Sequence, residues 1–290
     1  ISTGAFNNWN THLLGRSPRA VALTSAGLNA VELVVSMVLK LHGAVRSSAT
    51  RRAAVVLVEK QVPFEFIVID TPNKEQKTLE YMKKQPFGQI PLLDDNGFLL
   101  YESRAIGRYI AEKYLNQGLP LIPSELRAKA LFEQAASSEV ANFEFHASQL
   151  WKEVVKRLRV GQQPDAERVQ QLLVELSSKM DVYDEILSKQ RYLAGNVGHF
   201  SILLHCQLTR LFPKNITLVD FFPLPYGFSP MIEGSGIIEH DIIERRPHLN
   251  RWFKEMSSRN SWAVVKDGVK SFKCVSRSDR NKDTPFQHIN

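Results

Sequence analysis

The stretch VLKLHGAVRSSATRRAAVVLVEKQVPFEFIVID, from Val38 to Asp70, decides the fold of this 290-residue chain. Residues 38–42 alternate apolar and polar side chains, which is typical of a strand. Residues 50–60 carry apolar side chains at helical spacing and predict a helix, and residues 64–69 predict a second strand. A helix between two strands indicates a parallel pair joined by a crossover.

The pattern continues through a short helix at about 79–83 to a β-hairpin. Two apolar runs, Pro91–Leu93 and Phe98–Tyr101, flank Asp95-Asn96-Gly97, a sequence that favours a tight turn. A helix from Ser103 to about Tyr114 follows. The order β-α-β-α-β-β-α, over residues 37–116, is that of an α/β thioredoxin-like domain.

The rest of the chain carries helical patterns without strand signals. A linker at 115–124, rich in Gly and Pro, leads into two long helical patterns at 125–159 and 165–190. Asp165 is the predicted N-cap of the second helix. We therefore expect an all-α C-terminal domain over residues 125–270.

Three segments do not fit this two-domain plan: residues 1–36, 197–214 and 271–290. They hold most of the net charge of +7 and both cysteines, Cys206 and Cys274. Residues 1–36 are poor in acids, so they are either a transit peptide or, as we favour, a leader outside the fold.

The composition excludes several classes of function. No run of about eighteen apolar residues predicts a membrane span, and no basic stripe interleaved with aromatic side chains indicates a nucleic-acid partner. Residues 37–196 contain no cysteine, which argues against a disulfide framework, a thiolate metal site and a cysteine nucleophile. We expect a cytoplasmic protein that uses no metal, nucleic acid or membrane.

Several motifs follow one another along the chain. They are Ser47-Ser48-Ala49-Thr50-Arg51-Arg52, Pro86-Phe87-Gly88-Gln89-Ile90-Pro91, Glu102-Ser103-Arg104-Ala105-Ile106, Arg191-Tyr192-Leu193-Ala194-Gly195-Asn196 and Thr217-Leu218-Val219-Asp220. In this order and spacing the chain resembles the glutathione transferases, most closely the phi class of plants and fungi. The resemblance implies a thioredoxin-like domain that binds glutathione and a helical domain that binds the electrophile. Residues 197–214 have no counterpart in the family, so the resemblance implies that they are an insertion, either a retained short intron or a genuine surface loop.

The resemblance places a glutathione site on the first domain. In the family a cis peptide bond precedes the proline that matches Pro91, and the bend exposes the backbone of Ile90 to the cysteinyl part of glutathione. Gln89 would hold a carboxylate end of the peptide. Lys77 matches a lysine that faces the glycyl carboxylate, and Gln76 replaces the histidine that often precedes it.

Glu102 and Ser103 lie where a strand passes into a helix, and free N–H groups at such a point favour an anion. The resemblance assigns the γ-glutamyl carboxylate to Ser103 and the neighbouring ammonium group to Glu102. Both groups belong to the same end of glutathione.

Ser47 matches the catalytic serine of the family, whose hydroxyl donates a hydrogen bond to the glutathione sulfur. Lowering the pKa of a thiol by about two units takes roughly 2.7 kcal/mol. One hydrogen bond to a charged acceptor supplies about 1.5–3 kcal/mol, and a helix N-terminus adds up to about 1 kcal/mol. Two alternatives stay open: Ser47 is only a helix N-cap, or Ser48 is the donor.

The electrophile pocket is expected between the two domains. Phe143, His146 and Leu150 fall at i, i+3 and i+7 of the first long helix and share a face, although core packing explains the spacing equally well. Nothing in the sequence pairs His146 with a second titrating group. Thr217 and Asp220 form a capping-box pattern, to which we assign a structural role.

The resemblance thus implies a homodimeric detoxification enzyme that transfers the glutathione thiolate to hydrophobic electrophiles. Glutathione is the co-substrate, and reduction of organic hydroperoxides is an expected side activity. The alternative is a non-catalytic ligand-binding or interaction module with the same fold.

Overall fold

The computed structural model describes residues 38–195, 216–227 and 241–273. All of them belong to one unit that begins at Met37. The predicted leader at 1–36, the predicted insertion at 197–214 and the tail beyond Lys273 lie outside the described residues and stay predictions.

The first half has the predicted order of elements, and its thioredoxin-like architecture is confirmed. In chain order they are β1 (Leu39–Gly43), α1 (Ser48–Glu59), β2 (Phe64–Val68), a 3₁₀ turn (Glu75–Lys77), α2 (Leu79–Met82), β3 (Leu92–Asp95), β4 (Phe98–Tyr101) and α3 (Ser103–Lys113). The sheet has four strands in the order β2-β1-β3-β4. β1 and β2 are parallel, and β3 is antiparallel to both of its neighbours.

The second half is helical, as predicted, but its first long helix is irregular. Two π-helical stretches, Glu139–Glu144 and Lys152–Lys156, interrupt it and shift side chains away from the regular spacing. In chain order the other elements are α4 (Leu126–Ser138), α5 (Phe145–Trp151), α6 (Arg157–Arg159), α7 (Ala166–Lys189), a 3₁₀ helix (Leu218–Phe221), α8 (Leu224–Gly227), α9 (Asp241–Glu244), α10 (Pro247–Ser257) and α11 (Asn260–Val265). Asp165 caps α7, as predicted, by accepting from the N–H of Arg168 at 3.1 Å.

Helix α1 lies at the centre of the packing. Every residue from Thr50 to Val58 is buried, because α1 contacts β1 and α3 in the first half and α8 and α11 in the second. A helix that is apolar on all sides is stable only when it is covered on all sides. The main core is therefore continuous across both halves.

The predicted linker at 115–124 is packed against the end of α1. Leu121 is buried, and Lys60 Nζ donates to the carbonyl of Leu119 at 2.8 Å. Gln117 donates to the carbonyl of Gln61 at 2.7 Å. Burial lowers the pKa of Lys60. The linker thus belongs to the packed structure.

The C-terminal end of the described chain returns to the sheet. Phe272 pairs with Phe64 of β2 through two backbone hydrogen bonds of 2.9 and 3.0 Å. The fold therefore continues past residue 270, where the sequence analysis placed its end. None of the helices within the described ranges is long and apolar enough to cross a membrane.

Candidate active site

The three predicted binding motifs of the first half meet at one edge of the sheet. The strand register places His42 of β1 beside Leu92 of β3, and Leu92 beside Tyr101 of β4. The turn that carries the two serines follows His42, and the Ile90–Pro91 step directly precedes Leu92. The Glu-Ser motif directly follows Tyr101. Strand pairing alone thus brings together segments that are far apart in sequence.

Ser47 is the N-cap of α1. Its backbone is extended, with φ −65° and ψ 129°, and its Oγ accepts from the N–H of Thr50 at 3.3 Å. A serine hydroxyl has one hydrogen and two acceptor sites, so the cap occupies an acceptor site and leaves the hydrogen free. Capping the helix and donating to a sulfur are therefore compatible roles for one side chain.

The N-terminal end of α1 favours negative charge. Its first turn contains no acidic residue, and the N–H groups of Ser48 and Ala49 have no backbone acceptor in the part of the chain that the structure describes. Unpaired N–H groups and the helix dipole stabilise an anion at such a point. Ser48 is the first residue of the helix, so both candidate hydroxyls lie at this end.

Ile90 and Pro91 are joined by a cis peptide bond, as the resemblance predicts. The carbonyl of Gln89 accepts from the Tyr81 hydroxyl at 3.0 Å, and burial raises the pKa of Tyr81 to about 12, which keeps this donor protonated. Neither the N–H nor the C=O of Ile90 has a hydrogen-bond partner within the described ranges. The backbone here is held in place and can still pair with a peptide.

Gln76 and Lys77 lie against this same loop. Lys77 Nζ donates to the carbonyl of Phe87 at 2.9 Å. The close approach requires Gly88, at φ 56°, because a Cβ there would lie 2.7 Å from the carbonyl oxygen of Gln76. Gln76 Oε1 is buried and has no hydrogen-bond partner among the residues that the structure covers. The Gln76 backbone and the Lys77 side chain thus adjoin the cis-proline motif.

Glu102 and Ser103 lie at the start of α3. Glu102 has φ 68° and ψ 109°, a backbone conformation that residues other than glycine rarely adopt. No side chain caps the helix, and the N–H groups of Ser103 and Arg104 lack an acceptor within the described chain. Backbone strain beside unpaired donors is typical of a binding turn.

Arg52 is a residue of this site that the sequence analysis did not identify. Its side chain is almost wholly buried, with 1% of its surface exposed. It donates to the carbonyl of Phe222 at 3.0 Å, to Ser103 Oγ at 3.1 Å and to the carboxylate of Glu144. The sequence signal is the pair Arg51-Arg52 directly before the apolar run of α1, since a buried guanidinium requires acceptors.

A second arginine, Arg104, joins the same group. It donates to Glu139 and Glu144, and although burial opposes its charge, the two carboxylates raise the pKa of Arg104. Burial, followed by the charge of Glu144, raises the pKa of Tyr226 to about 12. Together Arg52, Arg104, Glu139 and Glu144 form an arginine–glutamate cluster between the two halves.

The three residues predicted to bind the electrophile have different surroundings in the described structure. Leu150 is 2% exposed and belongs to the main core. Phe143 lines a small apolar cavity of about 30 Å³. His146 Nδ1 lies 3.4 Å from Glu175 Oε2, which corrects the expectation that no titrating group is near it. A role in electrophile binding stays a prediction for all three residues.

Another cavity in the described part of the chain lies away from the predicted site. This larger, open cavity of about 400 Å³ is lined by residues such as Lys152, Arg157 and Arg168, and none of its lining residues belongs to the predicted site. Across the described ranges, no group of three or more His, Cys, Asp or Glu residues is placed to hold a metal ion.

Comparisons with known proteins agree with this geometry. Residues 37–112 match the family model described as glutathione S-transferase, N-terminal domain. The chain is similar to glutathione S-transferase hmp2 of Hypomyces subiculosus, with 38% identity over 229 residues that cover 78% of this chain and 96% of the relative.

Two solved structures are also similar. Glutathione transferase F2 from Populus trichocarpa is 29% identical, with a TM-score of 0.67 over 78% of this chain and 96% of that one. Glutathione S-transferase I from maize, in complex with an atrazine glutathione conjugate, is 25% identical, with a TM-score of 0.64 over 79% of this chain and 96% of that one.

Proposed function

Because the chain belongs to the glutathione S-transferase family, we propose that it joins the thiolate of glutathione to electrophilic small molecules. The observation that carries the proposal is the meeting of three features at one sheet edge. They are a serine at a helix N-terminus, a peptide backbone without partners and a second helix N-terminus with unpaired N–H groups. A thiol, a peptide and a carboxylate fit these features in turn, and glutathione contains all three.

In the proposed reaction the Ser47 hydroxyl donates a hydrogen bond to the sulfur of glutathione. The thiol proton passes to water, and this bond together with the N-terminal end of α1 stabilises the thiolate. The sulfur electron pair then forms a bond to the electrophilic carbon, and the leaving group departs with its electrons. With an unsaturated acceptor, a proton from water completes the addition instead.

The other predicted residues hold the tripeptide in this proposal. The backbone of Ile90, turned by Pro91, pairs with the cysteinyl residue. The Ser103 hydroxyl and the N–H groups at the start of α3 bind the γ-glutamyl carboxylate, and Glu102 binds the ammonium group. The glycyl end is assigned to Gln76, Lys77 and Gln89.

The same thiolate accounts for the proposed reduction of organic hydroperoxides. Its attack on the terminal peroxide oxygen releases an alcohol and leaves glutathione sulfenic acid. A second glutathione then forms the disulfide and releases water. No metal takes part in either step.

We also propose a cytoplasmic homodimer with a role in detoxification. Large apolar side chains that a second copy would cover are exposed, among them Phe87, Phe98 and Leu126, which are 61%, 51% and 80% exposed. The electrophile class is a hydrophobic compound with a displaceable group, because the maize relative holds an atrazine conjugate. Phe143, His146 and Leu150 are the proposed contacts.

Replacement of the two serines tests the catalytic assignment. We expect Ser47→Ala to lower kcat/KM for a chloronitrobenzene about 10- to 100-fold at pH 6.5, since a hydrogen bond to a charged group is lost. The pH profile of the rate should move to higher pH, which loss of the helix cap alone would not cause. Ser48→Ala, the matched control, should stay within about twofold of the wild type.

Two outcomes would contradict the proposal. Full activity in Ser47→Ala together with loss in Ser48→Ala would assign the donor to Ser48. Retention on immobilised glutathione without conjugation or peroxidase turnover would favour the non-catalytic module.

A further inference from the structure

We infer that Arg52 is a positioning residue of the glutathione site and that Glu144, in the helical half, controls it. Arg52 fixes the hydroxyl of Ser103, and Glu144 fixes the guanidinium of Arg52. The inference rests on the proposed function, in which Ser103 binds the γ-glutamyl carboxylate. Through Glu144, the helical half would then influence the affinity for glutathione, which the first half binds.

The contacts of Arg52 leave its guanidinium one orientation. Nε donates to the carbonyl of Phe222 at 3.0 Å, Nη1 donates to Ser103 Oγ at 3.1 Å, and Nη2 donates to Glu144 Oε2. The group is planar, and each of its nitrogens is engaged, so it cannot rotate without losing a bond. Its 1% exposure also leaves no water to replace a lost partner.

This orientation determines the direction of the Ser103 hydroxyl hydrogen. A guanidinium carries only donors, so Ser103 Oγ must act as the acceptor of this bond. The hydroxyl hydrogen then points away from Arg52. It is free to join the N–H groups of Ser103 and Arg104, which have no acceptor within the described ranges, in binding one carboxylate.

The π-helical stretch Glu139–Glu144 explains how the helical half supplies the counter-charge. In a regular α-helix, residues five apart differ by about 140° around the axis. A π turn, in which residue i bonds to i+5, places them on nearly the same face. Glu139 and Glu144 can therefore both point at the arginines, and Glu144 Oε2 is shared by Arg52 and Arg104.

Loss of the charge on Glu144 would loosen this arrangement. The other two acceptors of Arg52, a carbonyl and a hydroxyl, are neutral, so Glu144 is the contact that holds the cation most strongly. Without its charge the guanidinium gains freedom to shift, and the Ser103 hydroxyl loses its fixed direction. Glutathione affinity should fall, while the reaction of bound glutathione should change little.

The experiment compares Glu144→Gln with Glu133→Gln in the full chain. Glu133 of α4 pairs with Arg108 of α3 at 3.0 Å, so this pair also joins the two halves, but neither residue is hydrogen-bonded to Ser103. We expect Glu144→Gln to raise the KM for glutathione roughly three- to tenfold, as for a weakened charge-assisted hydrogen bond, with kcat within about twofold. Glu144→Ala should raise the KM further, and the Glu133→Gln control should leave it unchanged.

A double-mutant cycle with Ser103→Ala separates positioning from general weakening of the fold. If Glu144 acts through Ser103, adding Glu144→Gln to Ser103→Ala should raise the KM no further. An equal factor in both backgrounds, or a parallel rise in the KM for the electrophile, overturns the inference. Arg52→Lys should reproduce the rise in KM if it folds, and the glutamate variants decide the question if it does not.

The proposed function and this inference fail in different ways. A wild-type chain that neither binds nor turns over glutathione overturns both. A wild-type chain that conjugates glutathione with an unchanged KM in Glu144→Gln overturns the inference alone.

Discussion

The backbone of Glu102 shows how one residue can combine strain with function. Its φ of 68° and ψ of 109° lie outside the regions that side chains favour, and such a conformation costs about 1–3 kcal/mol. Its neighbours hold it there, since Tyr101 is paired in β4 with Leu92 and the Glu102 carbonyl accepts the N–H of Ile106 at 2.9 Å.

We therefore expect substitutions of Glu102 to affect the stability of the fold and the binding of glutathione differently. Glu102→Gly should unfold with a free energy about 1 kcal/mol higher than Glu102→Ala, because glycine adopts positive φ without a Cβ clash. Both variants should raise the KM for glutathione, since both lack the carboxylate. Urea titration and steady-state kinetics measure the two effects.

The control for this prediction is Asn96, which also has positive φ, 57°, but lies in the hairpin turn. Asn96→Gly should be more stable than Asn96→Ala, and both variants should have the wild-type KM for glutathione. Equal stability of the two variants at position 102 would show that its backbone stores no strain.

Sequence reasoning at this scale worked where the partners of a residue are close in sequence. Ser47 caps the helix through Thr50, three positions on, and the cis bond lies inside its own motif. Arg52 was missed because its acceptors Ser103, Glu144 and Phe222 are 51, 92 and 170 positions away. No local pattern specifies which distant group will accept from a buried cation.

Among the elements, the 3₁₀ helix Leu218–Phe221 depends on one buried carboxylate. Asp220 is 0% exposed. It accepts from the N–H and hydroxyl of Thr217, the N–H of Leu193 and the indole N–H of Trp252. The bond from the Thr217 N–H is one of the two bonds of the predicted capping box, in which the Thr217 side chain accepts from the N–H of Asp220 in return. The bonds from Leu193 and Trp252 join the element to the end of α7 and to α10.

Asp220→Ala should therefore be far more destabilising than loss of an ordinary cap. Its buried donors would lack partners, and we expect the free energy of unfolding to fall by about 3–5 kcal/mol. Asp165→Ala, which removes the exposed N-cap of α7, should cost about 1 kcal/mol. Similar losses in urea titrations of the two variants would show that Asp220 acts only as a local cap.

The sequence predicts elements well where their own residues determine them. The hairpin follows from two apolar runs on either side of Asp95-Asn96-Gly97. The π-helical stretch Glu139–Glu144 does not follow from a local pattern, because its two glutamates pair with arginines of the other half. Such a stretch departs from the regular helical spacing that the i, i+3 and i+7 pattern of Phe143, His146 and Leu150 assumes.

At the scale of the whole molecule, α1 makes the two halves one structural unit. Arg51 donates to the carbonyl of Lys266 at 2.8 Å and to that of Pro225 at 3.0 Å. At the other end of the helix, Glu59 accepts from Ser261 and Arg259. The continuous apolar run in α1 indicates burial on all sides. It does not reveal that the C-terminal helices supply part of the covering surface.

We expect the two halves to unfold together in one cooperative transition because neither half alone covers α1. The tryptophans of the described residues, Trp151, Trp252 and Trp262, all lie in the second half. Leu41 lies in β1 of the first half and is fully buried, so Leu41→Ala should lower the free energy of unfolding by about 2–5 kcal/mol. The Trp9→Phe change removes the tryptophan that lies outside the described residues. In that background, Leu41→Ala should lower the urea midpoint of unfolding equally by tryptophan fluorescence and by far-UV circular dichroism. The matched variant Leu172→Ala, in α7, should do the same, whereas a fluorescence transition that Leu41→Ala leaves in place would show that the halves unfold independently.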